Sequence, residues 1–521
     1  MVMTMILKKI YLLLLILTLP LLLISCNRAS QNIREAAEEE SLPIIGEGTP
    51  TLPEIEEENQ ISVPQQLIVK TEEKEIIDEI TRKYQAEIVS HLPEFNHYLL
   101  EISPNNNIEP TINSIRKHQQ VDFAQPNFVV IPSQNKQSET EPDFSKLDYF
   151  FRGHQWGMHK IQAPSAWEVT TGSNNTVIAV VDTGVDYNHP DFGDRVLYEE
   201  GINTIEEENP TAVLDDNGHG THVAGIAAAG GPGEGNMAGV NWNTLILPIK
   251  VLNQDGYGSS FSVNQGLEHV RQYAQDNPDK RVTVNLSLNF FGHSPARDEV
   301  VSSLLQENIV IVCAIGNDYK NILTNPDSSP GVIAVGATDV RDEKASFSSE
   351  GSWISIVAPG EEVFSSVPGG YDSWDGTSMS APFVAGTAAL LLDKYPELSP
   401  ADIKHHLEIT ADDLGTTGFN YQYGHGRLNA ARALTTEPQS SPKANINFSI
   451  TSTQQPANNI IIRLYHHGQY HHFVTSVNGN ASFYNLKAGK YRADFVYDSE
   501  TLKQINFTLQ EGEDKKLDIS L

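Results

Sequence analysis

Two cysteines in 521 residues, Cys26 and Cys313, cannot build a disulfide framework, so disulfides are not expected to hold this fold. Cys313 sits in an apolar run, I-V-I-V-C-A-I, and reads as a small buried hydrophobe. Positive charge is also scarce. Lys and Arg number 35 against 67 Asp and Glu, a formal charge of -32. Phosphate contacts need a surplus of Lys and Arg, so nucleic acid is not expected as a partner. Part of the excess is local, since nine glutamates against two arginines lie between Cys26 and Val63. No H-E-x-x-H occurs, and the pairs His405-His406, His466-His467 and His471-His472 lack an evident ligand partner, so no catalytic metal is expected. They read as paired surface histidines.

The one long apolar run near the start, Ile10–Ile24, follows Lys8 and Lys9 and reads as a targeting segment. It ends L-I-S-C, which resembles the bacterial lipobox. That resemblance implies cleavage before Cys26, lipidation of Cys26 and a cell-envelope location, at the outer membrane if the cell has one. An ordinary signal peptide or an uncleaved anchor is the alternative. The Glu-, Pro-, Gly- and Ser-rich stretch that follows reads as a disordered tether.

Three stretches carry chemistry. Thr176–Asp182, T-V-I-A-V-V-D, reads as a buried strand ending in an acid, where α/β sheets place function. N-G-H-G-T-H-V-A-G at 217–225 puts His219 and His222 among small residues that open an apolar helix. D-G-T-S-M-S-A-P-F-V-A-G at 375–386 reads as the start of a buried helix, with Ser378 at its N-terminus and Pro382 in its first turn. Each alone is compatible with a structural role. The three together suit an acid, a base and a nucleophile placed where negative charge develops beside a helix N-terminus.

Through these motifs the chain resembles the subtilisin-like serine proteases over residues 155–434, and the thermitase-like branch through W-G-M-H-K-I-Q-A-P-S-A-W. The resemblance implies a catalytic triad of Asp182, His219 and Ser378, with Asn317 in I-V-C-A-I-G-N as an oxyanion donor. It implies polypeptide substrates bound by strand addition to Gly256, Tyr257 and Gly258 and to Ser287, Leu288 and Asn289. Asn289 stands where a glycine is usual, which either narrows the cleft or adds a hydrogen bond. Ile315 replaces a usual alanine, and Thr324 matches a position at the floor of the primary pocket. Uncharged residues are therefore expected before the scissile bond. Structural calcium is implied, with Asp191 matching the carboxylate of the tight site and Asp148 an N-terminal ligand. The matching loop, G-G-P-G-E-G-N-M-A-G, has glycines where ligands are usual, leaving Glu234 or carbonyls to compensate. Asp215 and Asp216 are candidates for a second site, or a solvated acidic loop, and Asp339 for a weaker one.

The expected fold is α/β, a mostly parallel sheet flanked by helices, preceded by a small α+β unit and followed by a small β-sandwich. The expected divisions are a signal at 1–25, a tether at 26–62 and an inhibitory prodomain at 63–132. A cleavable linker at 133–147 leads to a protease domain at 148–435. A linker at 436–443 then leads to a β-sandwich at 444–521, where A-S-F-Y-N-L-K-A-G-K-Y resembles a prealbumin-like module. The chain is thus read as an envelope-anchored serine endopeptidase made as an autoprocessed precursor, with its own prodomain as intramolecular inhibitor. A catalytically weak cell-surface binding protein on the same fold is the alternative.

Overall fold

The computed structural model describes residues 61–134, 136–137, 154–205, 209, 211–231, 237–292, 294–317, 331–351, 353–439, 444–451, 460–466, 469–475, 480–486, 488–497, 500–510 and 512–521. The targeting segment with Cys26, the tether, Asp148, Glu234 and Thr324 lie outside them. Among the described residues no helix is long and apolar enough to cross a membrane.

The N-terminal unit is built from β1 (Ser62–Lys70), α1 (Lys74–Tyr84), β2 (Glu87–Leu92), β3 (His97–Glu101), α2 (Ile108–Ile115) and β4 (Phe123–Pro132). In α1 the apolar residues Ile76, Ile77 and Ile80 fall on one face and are buried. Glu75 in its first turn and Arg82 and Lys83 in its last complement the helix dipole. That face packs on Leu67, Val69 and Leu100 of the antiparallel sheet β4-β1-β3-β2.

β4 continues past its own sheet. Its first half pairs with β1, and residues 129–132 run antiparallel between two further strands, β9 (Gly258–Ser259) and β11 (Leu288–Phe290). Two side chains from one face of β4 finish helices of the following unit. Asn127 Oδ1 accepts from the Phe261 amide (3.1 Å) at the start of α6 (Ser260–Asp276). Gln125 accepts from the Ala296 amide (3.2 Å) and donates to Ser294 Oγ (2.8 Å) at the start of α7 (Pro295–Gln306). Both fill amides that a helix leaves without internal partners. Glu299 of α7 in turn accepts from Lys70 and from His97 Nε2 (3.0 Å). His97 is buried between Phe95 and Phe123, and that burial holds its pKa below the usual histidine value.

The central sheet is parallel, in the order β14-β13-β12-β10-β6-β8-β7. Its strands are β6 (Thr176–Asp182), β7 (Ile202–Asn203), β8 (Leu245–Lys250), β10 (Arg281–Leu286), β12 (Val310–Ala314), β13 (Ile333–Thr338) and β14 (Ile356–Pro359). These are continuous Val/Ile/Leu runs because both faces are covered. Cys313 on β12 is fully buried, as its apolar run suggests. On one face lie α5 (His219–Ala228) and α8 (Thr377–Lys394), which share a core with Ile178, Val180, Val312 and Val335. On the other, α6 and α7 cover Val177, Ala179, Val284 and Ile311.

Pro382 is the sixth residue of α8 rather than part of its first turn, because the helix begins at Thr377. A proline there leaves the carbonyl four residues earlier without its helical donor. That carbonyl belongs to Ser378, and Ser287 Oγ donates to it (2.8 Å). A break in the helix ladder thus ties the Ser378 peptide to Ser287.

The C-terminal strands form two sheets, β20-β17-β23 and β19-β18-β21-β22, from β17 (Ala444–Thr451), β18 (Ile461–His466), β19 (Gln469–Thr475), β20 (Asn480–Leu486), β21 (Gly489–Tyr497), β22 (Glu500–Leu509) and β23 (Asp514–Ser520). Phe448, Phe483 and Phe495 meet edge to face in their shared core. The paired-histidine reading fails at His406, which is buried and bonded through Nε2 to the Ala433 carbonyl (2.7 Å). The side chains of His466, His467, His471 and His472 lie outside the described residues.

Candidate active site

Asp182 ends β6, and His219 opens α5. His219 Nδ1 lies 2.7 Å and 2.9 Å from the two Asp182 oxygens, and both residues are fully buried. Asp182 Oδ1 also accepts from the Thr183 amide (2.7 Å). This geometry fixes the proton on Nδ1 and leaves Nε2 as an acceptor.

Asp215 fastens the acid's loop to the base's helix. Its Oδ1 accepts from Thr183 Oγ1 (2.8 Å) and the Gly218 amide (2.9 Å), and its Oδ2 from the Thr221 amide (2.9 Å) and hydroxyl (2.6 Å). Thr183 Oγ1 accepts from the Gly220 amide (2.9 Å). A side chain at Gly220 would place Cβ 2.1 Å from the Gly184 carbonyl, so only glycine lets helix and loop close. Asp215 is thereby a capping residue, and Asp216 pairs with Lys250 (2.6 Å). Asp339 likewise caps its own turn through the Arg341 and Glu343 amides (2.8 Å each).

His222, one turn along α5, has its ring stacked on Trp374 (4.5 Å, 2° between planes). Burial and the neighbouring His219 push its pKa down to about 3, so it packs as a neutral ring. Trp374 also faces His219 (6.2 Å) and is pinned by Asp372 (2.7 Å). Nothing in its sequence context singled Trp374 out.

The decisive contact is made by Ser133, immediately after β4. Its carbonyl oxygen accepts from the Ser378 amide (3.2 Å) and from Asn317 Nδ2. Its own amide donates to the Ser287 carbonyl (3.1 Å). Two donors converging on one carbonyl oxygen are the arrangement that stabilises an oxyanion. Asn317 is aimed by Thr377, whose amide (3.0 Å) and hydroxyl (2.9 Å) both donate to its Oδ1. The amide's NH2 then has to face Ser133. Nothing in its sequence context singled Thr377 out, although it stands in the G-T-S motif beside Ser378.

The Ser378 hydroxyl donates to the Ser287 carbonyl (2.9 Å), and His219 Nε2 has no hydrogen-bond partner among the described residues. For the Ser378 proton to reach His219, the serine side chain would have to turn from Ser287 toward His219. Catalytic hydrogen bonds often form only as the reaction begins.

The segments expected to bind substrate flank this chain. Leu288, Asn289 and Phe290 pair with Pro132, Ile131 and Val130, and Gly258 pairs with Val130. Gly256 leaves room for the Pro132 ring, which would lie 3.3 Å from an added Cβ. Tyr257 stands apart, 57% exposed, with its backbone turned onto Asn253. Ile315 is buried in a cluster with Ala334, Trp353 and Ile354.

The carboxylate of Asp191 is buried and accepts from Ser366 Oγ (2.6 Å) and Tyr371 OH (3.0 Å), with His189 Nδ1 at 3.5 Å. Burial pushes its pKa up. Calcium takes six to eight oxygen ligands. Among the described residues no group of three or more His, Cys, Asp or Glu is placed to hold a metal. Because the Ser366 and Tyr371 hydroxyls already donate to the Asp191 carboxylate, chelator is expected to lower the melting temperature of the mature enzyme by no more than about 3 °C. A calorimetric scan with and without chelator and added calcium checks this, and a shift of ten degrees would make calcium the main support.

The subtilase family profile matches residues 173–426, and the profile of the fervidolysin N-terminal prodomain matches residues 51–127. The thermophilic serine proteinase of Bacillus sp. (strain AK1) is 35% identical over 330 residues, 63% of this chain and 76% of that protein. Thermitase of Thermoactinomyces vulgaris is 37% identical over 292 residues, 56% of this chain and 99% of thermitase. The crystal structure of fervidolysin from Fervidobacterium pennivorans superposes with a TM-score of 0.74 at 23% identity, covering 92% of this chain and 82% of that one, a likeness of fold. With its parallel sheet, its N-terminal prodomain laid through the cleft and these relatives, the chain belongs to the subtilase family, serine-type endopeptidases made here as a precursor.

Proposed function

We propose that Asp182, His219 and Ser378 are the catalytic triad, that Asn317 is the oxyanion donor, and that the precursor cuts its own Ser133–Gln134 bond. The observation that carries this reading is the Ser133 carbonyl, held by the Ser378 amide and the Asn317 side chain. In the first step Ser378 Oγ bonds to the Ser133 carbonyl carbon while its proton passes to His219 Nε2. The bond to Gln134 nitrogen then breaks, and that nitrogen takes the proton from His219. Water, deprotonated by His219, releases Ser133 as a free carboxylate. Asp182 keeps Nδ1 protonated and stabilises the imidazolium. Because β4 stays paired on both edges, the cut prodomain remains seated as an inhibitor until it is removed.

The experiment is intact-mass analysis of the refolding precursor, with a new N-terminus at Gln134 expected. Cleavage elsewhere in 134–147 would displace the bond but keep the enzyme. In Asn317→Ala the nucleophile survives, so maturation should continue about 100- to 1,000-fold more slowly. A variant that matures at the wild-type rate would remove Asn317 from the oxyanion role.

The same reading places the protein on the cell envelope through lipid on Cys26, with the acidic stretch 26–62 as a tether that lets the enzyme reach exported polypeptides. L-I-S before Cys26 supports it. Cys26→Ala should release the protein from membranes or block export processing. A fully processed variant that still fractionates with membranes would end the anchor assignment.

A further inference from the structure

Ser133 is fixed at three points of the cleft. Its amide is on Ser287, and its carbonyl is on Asn317 and Ser378. Its side chain must therefore enter the gap between the Ser287–Phe290 segment and the Ala314–Asn317 segment. Ser133 is 2% exposed, and its hydroxyl finds no hydrogen-bond partner among the described residues. The gap thus takes a small side chain completely, and among the described residues it offers the hydroxyl no partner.

Asn289 crosses that gap. Along β11, Leu288 and Phe290 point into the core and are buried, so Asn289 points to the opposite face. There its carboxamide reaches across to Gly316. A Cβ built on Gly316 would lie 3.4 Å from Asn289 Oδ1 and 3.9 Å from Cγ, ordinary van der Waals contact. The two walls that receive residue 133 are therefore bridged by a side chain two residues beyond Ser287. A glycine at 289 would leave that space open to a long or aromatic side chain.

The other end of the bound segment is demanding in a different way. Val130, three residues before Ser133, is fully buried and shares a cluster with Leu252, Phe261, Leu288 and Phe290. Pro132 is accepted because the amide that proline lacks has no enzyme carbonyl assigned to it, whereas the Ser133 amide is used.

We propose that Asn289 sets the width of the pocket for the residue before the scissile bond, so that this enzyme cleaves after small uncharged residues such as serine and alanine, with an aliphatic residue three positions earlier. The inference rests on the protease reading of the same site. Of the two roles open to Asn289, it develops the narrowed cleft.

The test uses the full precursor first. Ser133→Phe should mature at least about 10-fold more slowly than wild type, and Ser133→Phe/Asn289→Gly should regain at least about 10-fold, the range that one pocket contact commands. The second measurement uses mature enzyme, in case the precursor variant folds poorly. Val-Ile-Pro-Ser and Val-Ile-Pro-Phe p-nitroanilides are compared by kcat/KM. Wild type should favour serine by about 10-fold or more, and Asn289→Gly should shift the ratio toward phenylalanine by a similar factor. The ratio within each variant cancels losses common to both peptides. A wild-type preference for phenylalanine, or a ratio unmoved by Asn289→Gly, would overturn the inference while leaving the protease intact. Wild-type precursor that shows no Ser378-dependent cleavage of itself or of either peptide would overturn both.

Discussion

Ser378→Ala is expected to accumulate as full-length precursor with no self-cleavage and no peptide hydrolysis above background. Loss of a triad nucleophile removes on the order of a million-fold in turnover in enzymes of this chemistry. The variant should still fold. Ser378 is fully buried beneath the prodomain tail, so the change is not a surface one, but among the described residues its hydroxyl makes only the bond to the Ser287 carbonyl. That carbonyl keeps the Ser133 amide as a donor, so nothing is left unsatisfied. The cost is about 1 kcal/mol, one neutral hydrogen bond. The Ser378 backbone amide and Asn317 are untouched, so Ser133 should stay in the oxyanion site and the prodomain on the enzyme. Intact-mass analysis over time, beside wild type and in a host lacking other proteases, reads the outcome. Normal processing of this variant would show that another residue or another protein cuts the chain.

Asp182→Asn should lower kcat/KM by about 10,000-fold without dismantling the site. The replacement keeps the side chain's shape and one acceptor oxygen, so Thr183 can retain its bond. What changes is the partner of His219 Nδ1. An amide NH2 facing Nδ1 requires an acceptor there, which moves the imidazole proton to Nε2. That nitrogen then cannot take the Ser378 proton. The same buried carboxylate also stabilises the imidazolium, and the neutral amide does not. Mature enzyme carrying the change, released from its prodomain in trans, should bind peptide with nearly unchanged KM and turn it over very slowly. A loss below about 10-fold would mean that Asp182 does not orient the base.

The residues named from sequence divide by how local their signals are. Asp182 ends an uninterrupted apolar strand, His219 opens a small-residue helix, and Ser378 opens an apolar one, so each motif states both its element and its place at the end of that element. Asp191, Asp215, Asp216 and Asp339 were harder. An acid in a loop has the same appearance whether it caps amides, pairs with a lysine or holds an ion, and for three of these acids a deciding partner is distant in sequence. For Asp215 it is Thr183, for Asp216 Lys250, and for Asp191 Ser366 and Tyr371. Trp374 was missed for the same reason, since its work is done against rings on another helix.

By itself the sequence determined the parallel sheet and the prodomain, and it singled out Asp182, His219 and Ser378 as the candidate acid, base and nucleophile, because periodicity and short motifs are properties of contiguous residues. Only the tertiary structure decided that Ser133 is the residue whose carbonyl lies between Ser378 and Asn317. Only the tertiary structure showed that Thr377 aims Asn317, and that Asn289 spans the pocket. Each of these depends on two segments more than twenty residues apart meeting within hydrogen-bond or van der Waals distance. Such meetings are fixed by how the strands stack and where β4 leaves its sheet, which no local pattern encodes.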